Sequence, residues 1–207
     1  MATTGQETRD MTSNAQLEQD MAEAWAQLQA AVQRLADLRK ELPPEPVADY
    51  ELQGPDGTVR LSQMFGDKED LILVHNMGSE CPYCTMWADG FNGVLDHLED
   101  RTAFVVVSPD SVAVQQAMRE QRGWGFDMYS AEGTSFVRDM GFESSDTNFN
   151  SSSMPGVSAF RRNSDGSVVR ISRDFFGPGD MYCGVWHLFD LLANGANGWE
   201  AKLDYHR

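Results

Sequence analysis

The sequence predicts an α/β domain built on a central mixed sheet flanked by helices, preceded by a helical extension, and three observations lead there. Leu71-Ile72-Leu73-Val74 and Ala103-Phe104-Val105-Val106-Val107 are short, continuous apolar runs of the kind covered on both faces of a sheet. The residues between them are compatible with a helix, so the two strands should run parallel through a right-handed crossover. Further on, the segments 157–162 and 167–172 flank Asn163-Ser164-Asp165-Gly166, a hairpin signal that adds antiparallel strands to the parallel pair.

Residues 1–15 are polar and aperiodic and are expected to be a disordered tail. From Gln16, Leu17, Met21, Ala24, Leu28, Ala31 and Leu35 recur at steps of three and four and continue to Leu38 and Leu42, with Trp25 and Val32 widening the stripe. This predicts an amphipathic helix over 16–44, stopped by Pro43-Pro44. Its stripe fits either a homodimer contact or a helix lying on its own domain.

The expected domain covers 45–195. It opens with two short strands, 50–52 and 58–61, around Gly54-Pro55-Asp56-Gly57, followed by the strand 71–76. A turn at Met77-Gly78-Ser79-Glu80 leads into a helix from Tyr83 toward Leu98. The strand 102–108, a crossover helix over 110–122, the hairpin and a last helix over 179–192 complete it, and 196–207 reads as a C-terminal tail. The stretch 141–153 is rich in Ser, Asn and Asp and reads as a surface loop; its Asn150-Ser151-Ser152 matches a glycosylation sequon, read as accidental.

The 207 residues suffice for one substantial core. With 32 acidic and 16 basic residues the formal charge is −16, which makes nucleic acid a poor partner; the bland reading of this acidity is solvation of the exposed faces. No apolar run approaches the roughly 20 residues of a membrane span, and residues 1–20 lack a basic flank and an apolar signal core. The expectation is a cytoplasmic protein without a membrane partner. Three cysteines are too few for a disulfide scaffold, which fits a reducing compartment.

Cys81-Pro82-Tyr83-Cys84 stands where strand gives way to helix. There Cys81 meets unpaired amides and the positive end of the helix dipole, which stabilise a thiolate, and Cys84 one turn on can close a disulfide with it. The chemistry expected is dithiol–disulfide exchange with protein or low-molecular-weight disulfides or thiols, without a cofactor. His75 at the strand end and Ser79 in the turn are candidates for tuning the thiol, whereas Glu80 adds negative charge against it. Trp87 and Phe91 read as core. Cys183 is open to two readings, a second resolving thiol or a buried inert cysteine. A rival assignment joins Cys81, Cys84, Cys183 and His187 in a metal site, Cys183 and His187 being i and i+4 on one helix. A third makes the domain a redox-inactive binding module.

The element order, with a proline leading into the final hairpin, resembles the thioredoxin fold. The run Asp49-Tyr50-Glu51-Leu52, then Asp56-Gly57-Thr58-Val59-Arg60-Leu61-Ser62, the strand and the Cys pair resemble the opening of the alkyl hydroperoxide reductase and thiol-specific antioxidant superfamily. Cys81 to Phe91, Gly123-Trp124-Gly125-Phe126 and the hairpin after Pro155-Gly156 resemble a thioredoxin-like family catalogued as a domain of unknown function. The resemblance implies a cis Met154-Pro155 bond against the cysteine pair, with Met154 and Pro155 binding an extended substrate segment, and a role in peroxide or oxidative-stress defence. It also exposes a departure: the peroxidase signature Pro-x-x-x-Thr-x-x-Cys has Val74 and Gly78 at its first two fixed positions here.

Overall fold

The computed structural model describes residues 4–144 and 153–205, with side chains described from residue 13. The sequon and most of the 141–153 loop lie outside the described residues. The chain divides into two units, Met1–Pro43 and Pro44–Arg207.

The first unit is one helix, α1 (Thr4–Glu41). It starts at Thr4, so residues 4–15 belong to the helix where the sequence predicts a disordered tail. Away from the apolar stripe, exposed polar pairs one turn apart support it: Gln16 donates to Asp20 at 2.8 Å and Gln33 to Asp37 at 3.0 Å.

The second unit runs β1 (Glu45–Val47), β2 (Glu51–Gly54), β3 (Gly57–Arg60), a 3-10 turn over Leu61–Gln63, β4 (Asp70–His75), α2 (Pro82–Gly93), α3 (Leu95–Arg101), β5 (Ala103–Ser108), α4 (Val112–Arg122), β6 (Asp127–Ser130), α5 (Phe136–Asp139), β7 (Gly156–Arg162), β8 (Val168–Phe175) and α6 (Gly184–Phe189). One eight-stranded sheet has the order β1-β8-β7-β4-β5-β6-β2-β3. The pairs β4–β5 and β5–β6 are parallel, and β4–β7 and β7–β8 are antiparallel. The two apolar runs therefore lie side by side at the centre, where both faces must be covered.

Because side chains alternate across a strand, each central strand feeds two cores. Leu71 and Leu73 on β4, with Val105 and Val107 on β5, pack with Phe65, Phe136, Phe142 and Phe160. Val74, Phe104 and Val106 face the other way, into a cluster with Cys84, Trp87, Trp124, Phe126, Phe176 and Trp186. The motif helix α2 thus belongs to the second core. The crossover helix α4 is pinned to the sheet by buried Gln115, whose amide donates to Ser108 Oγ at 2.9 Å and to the Tyr129 carbonyl at 3.0 Å.

Some boundaries differ from the sequence reading for local reasons. The helix expected from Tyr83 to Leu98 is broken into α2 and α3 at Val94, whose φ −123° and ψ 15° leave the helical region just after Gly93. The final helix is six residues long and begins at Gly184. Residues 196–205 are not a loose tail: Trp199 packs edge-on against Trp186 and Phe189, at ring-centroid distances of 5.7 Å and 5.0 Å, Ala201 is buried, and Arg122 hydrogen-bonds the Leu203 carbonyl. The strand β1 is held beside β8 by Arg170, which is almost fully buried and grips Glu45 Oε2 through Nη2 at 2.6 Å and Nε at 3.1 Å.

His75 belongs to the first core, on the face of β4 shared by Leu71 and Leu73. Its ring stacks on Phe142 at 3.8 Å, its Nε2 pairs with Ser158 Oγ at 2.9 Å, and its Nδ1 is buried without a partner. Burial, reinforced by the positive charges of Arg170 and Arg173, pushes its pKa down to about 3, so the ring is neutral.

Two consequences are measurable. A methyl group at Gly156 would collide with the Asp174 carbonyl oxygen and the Phe142 ring, both fixed parts of the sheet and core. Gly156→Ala should therefore lower unfolding stability in urea by about 2 kcal/mol or more. As pH falls from 6.5, the unfolded chain binds a proton at His75 that the folded chain refuses until about pH 3. Stability is then lost at up to about 1.4 kcal/mol per pH unit across that window. His75→Gln, which keeps a hydrogen-bonding partner for Ser158, should flatten the urea-midpoint profile between pH 7 and pH 4.

Candidate functional site

The strand β4 ends at His75, and the chain must turn sharply to start α2. Asn76 continues the sheet by donating its amide to the Val107 carbonyl at 2.8 Å, and its side-chain oxygen accepts from the Gly78 amide at 2.8 Å. Gly78 has φ 118°, which strongly favours glycine. The turn is then anchored from the next strand. Asp110, just past β5, accepts the Ser79 amide at 2.9 Å and the Ser79 hydroxyl at 3.3 Å, and also the Ser108 hydroxyl at 3.1 Å. A Cβ at Gly78 would stand 3.0 Å from an Asp110 oxygen, so the residue and its anchor fit each other closely.

This places Cys81 at the N-cap of α2, with φ −93° and ψ 105°, followed by Pro82, which needs no amide partner there. The Cys84 amide donates to Cys81 Sγ at 3.1 Å, and the helix continues with the Thr85 amide and hydroxyl both on the Cys81 carbonyl, at 3.1 Å and 3.0 Å. A sulfur has taken the place usually held by a hydroxyl or carboxylate oxygen. Cys81 is partly exposed and Cys84 buried, and both thiols are free.

The two thiols also perturb each other's ionisation, and the consequence is opposite for the pair. The Cys84 thiol, together with the Cys84 and Tyr83 amides, pulls the Cys81 thiol below its ordinary value against the opposing effect of burial. Donation to Cys81, then burial and the Cys81 charge, push the Cys84 thiol far up, although the Met77 amide reaches Cys84 Sγ at 3.4 Å. Of the two, the outer sulfur is therefore the one that ionises first. Cys84 amide and thiol are the near neighbours that set this, while the Glu80 side chain is exposed and the Ser79 hydroxyl is committed to Asp110.

The remaining candidates separate. His75 faces the first core, on the opposite side of the sheet from α2, and does not reach the cysteines. Cys183 shares the second core with Cys84 and stands at the N-cap position of α6 without a side-chain cap bond, and burial and the Asp180 charge hold its thiol high. His187 is exposed, with Nε2 3.1 Å from the Asp180 carbonyl. The i, i+4 spacing fails to align the two because Cys183 precedes the first helical residue. Among the described residues no three His, Cys, Asp or Glu side chains come together to hold a metal ion, so the Cys81, Cys84, Cys183 and His187 shell does not form. Trp87 and Phe91 are core residues, packed on Phe176 and Phe104.

Met154 and Pro155 lead directly into β7, whose first residue Gly156 is registered opposite His75, so they adjoin the end of the sheet from which the motif turn departs. Their peptide bond is trans, as are all others among the described residues, against the cis form that the resemblance implies. Ser153 already bridges Glu143, and the Met154 amide donates to the Phe142 carbonyl at 2.7 Å, so the chain enters β7 extended. Asp110 is the site residue that sequence reading misses: it looks like the start of the crossover helix, and only the approach of the two parallel strands brings it to the turn.

Comparison of the fold finds peroxiredoxins. Reduced Prx3 from Vibrio vulnificus in complex with H2O2 superposes with a TM-score of 0.56 at 16% identity, over 68% of this chain and 91% of that one. Peroxiredoxin Q from Xanthomonas campestris gives 0.53 at 17% identity, over 61% and 80%. A cysteine-to-serine mutant of PrxQ from Xylella fastidiosa gives 0.54 at 14%, over 63% and 82%. At such identities the likeness establishes the thioredoxin-like, peroxiredoxin-type architecture. No helix among the described residues is long and apolar enough to cross a membrane. No curated protein matches the chain. Residues 7–207 match a family described as "Bacterial protein of unknown function (DUF899)", and the chain belongs to that family, one related in fold to the peroxiredoxins.

Proposed function

We propose that the protein is a thiol–disulfide oxidoreductase with Cys81 as attacking thiol and Cys84 as resolving thiol, acting on protein or low-molecular-weight disulfides. The observation that carries this reading is the opposed pair of thiols: one at a helix N-cap, partly exposed, lowered and accepting the Cys84 amide, the other buried and raised. The Cys81 thiolate attacks one sulfur of a substrate disulfide, forming a mixed disulfide and releasing the other half as a thiolate. Cys84 then loses its proton and attacks Cys81 Sγ, closing the intramolecular disulfide and releasing the second substrate thiolate. Two electrons pass from the dithiol to the substrate, and an external dithiol restores the pair.

The Cys81 sulfur beside it, then burial and the Cys81 charge, keep Cys84 protonated; forming the mixed disulfide removes the Cys81 thiolate as acceptor and as charge, and the Cys84 pKa falls when its thiolate is needed. Asp110 is a positioning residue that fixes the turn from Gly78 to Cys81. Met154, which is 36% exposed, and Pro155 are proposed to line the substrate's path at the same sheet end. The Met154 amide is already bonded to Phe142, so it is not the donor offered to a substrate backbone.

Peroxide reduction is a second reading, favoured by the same lowered thiol: Cys81 would take one peroxide oxygen as a sulfenic acid, releasing an alcohol or water, and Cys84 would condense with it, releasing water. It is the weaker reading here because Gly78 offers no hydroxyl and the Ser79 hydroxyl is engaged by Asp110.

Three measurements test the proposal. Cys81→Ser should abolish reduction of a model dialkyl disulfide, while Cys84→Ser should retain a first attack, accumulate the mixed disulfide and lose roughly 100-fold or more in multiple turnover; full turnover by Cys81→Ser would overturn the assignment. The pH midpoint of Cys81 alkylation by iodoacetamide should lie below that of a free cysteine peptide measured alongside, because a lowered pKa moves thiolate formation to lower pH. Asp110→Ala should slow that alkylation about tenfold at neutral pH and move its pH midpoint, with Asp110→Asn, which keeps an acceptor oxygen, intermediate.

A further inference from the structure

The helix α1 spans 38 residues, about 57 Å at 1.5 Å per residue, and carries its apolar side chains in the open. Exposure along the stripe runs from 39% at Leu35 to 64% at Met21, and Trp25 is 60% exposed. Helices of this length are stabilised chiefly by what packs on their apolar face. The period of that face is informative. From Leu17 to Leu42 the steps are four, three, four, three, without a break. That is a 3.5-residue repeat, the repeat of a seam between helices, whereas a face laid on a globular surface follows 3.6 and drifts by about 20° per heptad.

In heptad terms Met21, Leu28, Leu35 and Leu42 occupy one seam position, a, and Leu17, Ala24, Ala31 and Leu38 the other, d. We propose that α1 pairs antiparallel with α1 of a second copy of this chain, about a two-fold axis that crosses near Gln29 and Ala30. In this register each seam residue of one type faces one of the other type. Leu28 meets Ala31 of the second copy and Leu35 meets Ala24, so each alanine is filled by a leucine; Met21 meets Leu38, and Leu42, the residue just past the helix end, meets Leu17. The layers are thus of large against small, or large against large at the ends, with no layer of two alanines. The two apolar residues that widen the stripe, Trp25 and Val32, fall opposite each other. Glu18 falls opposite Arg39, and the two-fold axis makes each of these contacts twice.

A parallel pair fits worse on all three counts. It stacks Ala24 on Ala24 and Ala31 on Ala31, sets Trp25 and Val32 against Asp20 and Gln27, and brings Arg34 against Arg39. The antiparallel register contains one like-charge pairing, Asp20 with Glu41, at its solvated ends, where screening makes it cheap.

Sedimentation equilibrium of the full chain under reducing conditions tests the proposal. A dimer is expected, and Leu28→Glu should weaken it at least roughly 100-fold by putting a carboxylate against Ala31 in the seam. Orientation is read from charge reversal outside the seam. Arg39→Glu should raise Kd roughly tenfold by facing Glu18, and adding Glu18→Arg should restore it. In a parallel pair Arg39→Glu would instead tighten binding by relieving Arg34. A monomeric chain, a dimer indifferent to Leu28→Glu, or tightening by Arg39→Glu would each overturn the proposal. None of these readouts depends on the chemistry of Cys81.

Discussion

The chemistry assigned to this protein depends on one contact: the sulfur of Cys81 serving as the N-cap of α2 while the Cys84 amide donates to it and the Cys84 thiol favours its charged form. A helix start leaves amides without partners, and here a sulfur meets that need. The capping interaction and the acidity of the thiol are therefore one physical fact. A polar cap stabilises the helix, and the helix in turn stabilises negative charge on the cap. Cys84 divides the pair into an outer thiol that ionises more readily and an inner one held protonated, because it lies one turn deeper, among Trp87, Phe176 and Trp186.

The remainder of the domain can be understood as holding that contact in place. Parallel strands β4 and β5 end together, so the turn after one can be fastened by the carboxylate after the other, Asp110. The alternation of side chains along the same strands separates two cores, one packed beneath α2 and the other, on the opposite face, packed around His75 and Phe142. A histidine next to a reactive thiol would compete for its proton. The strand places His75 on the far face, neutral and stacked, where it stabilises the sheet and leaves the thiol pair to set its own balance.

Much of this was legible in the chain. The continuous apolar runs at 71–74 and 103–107 identified the central parallel pair, the Asn-Ser-Asp-Gly turn identified β7 and β8, and the Cys-Pro-Tyr-Cys spacing after a strand located the helix start. What was not legible has physical reasons. The strands β1 and β6 are only three and four residues long and gain their pairing from neighbours remote in sequence, so no local pattern announces them. The face on which His75 falls depends on strand register, which a one-residue shift would invert. The packing of Trp199 looked like part of a tail because aromatic contacts with α6 are tertiary, and Met154-Pro155 is trans because an extended bridge to Glu143 and Phe142, not a tight turn, precedes β7.

The most direct test of the central claim is the redox equilibrium of the purified full chain across a series of glutathione potentials, with each cysteine's state read by differential alkylation and peptide mass spectrometry. One reversible two-electron transition is expected, joining Cys81 to Cys84 and leaving Cys183 reduced throughout. A Cys81 that stays reduced at every potential, or one that pairs with Cys183 instead, would contradict it.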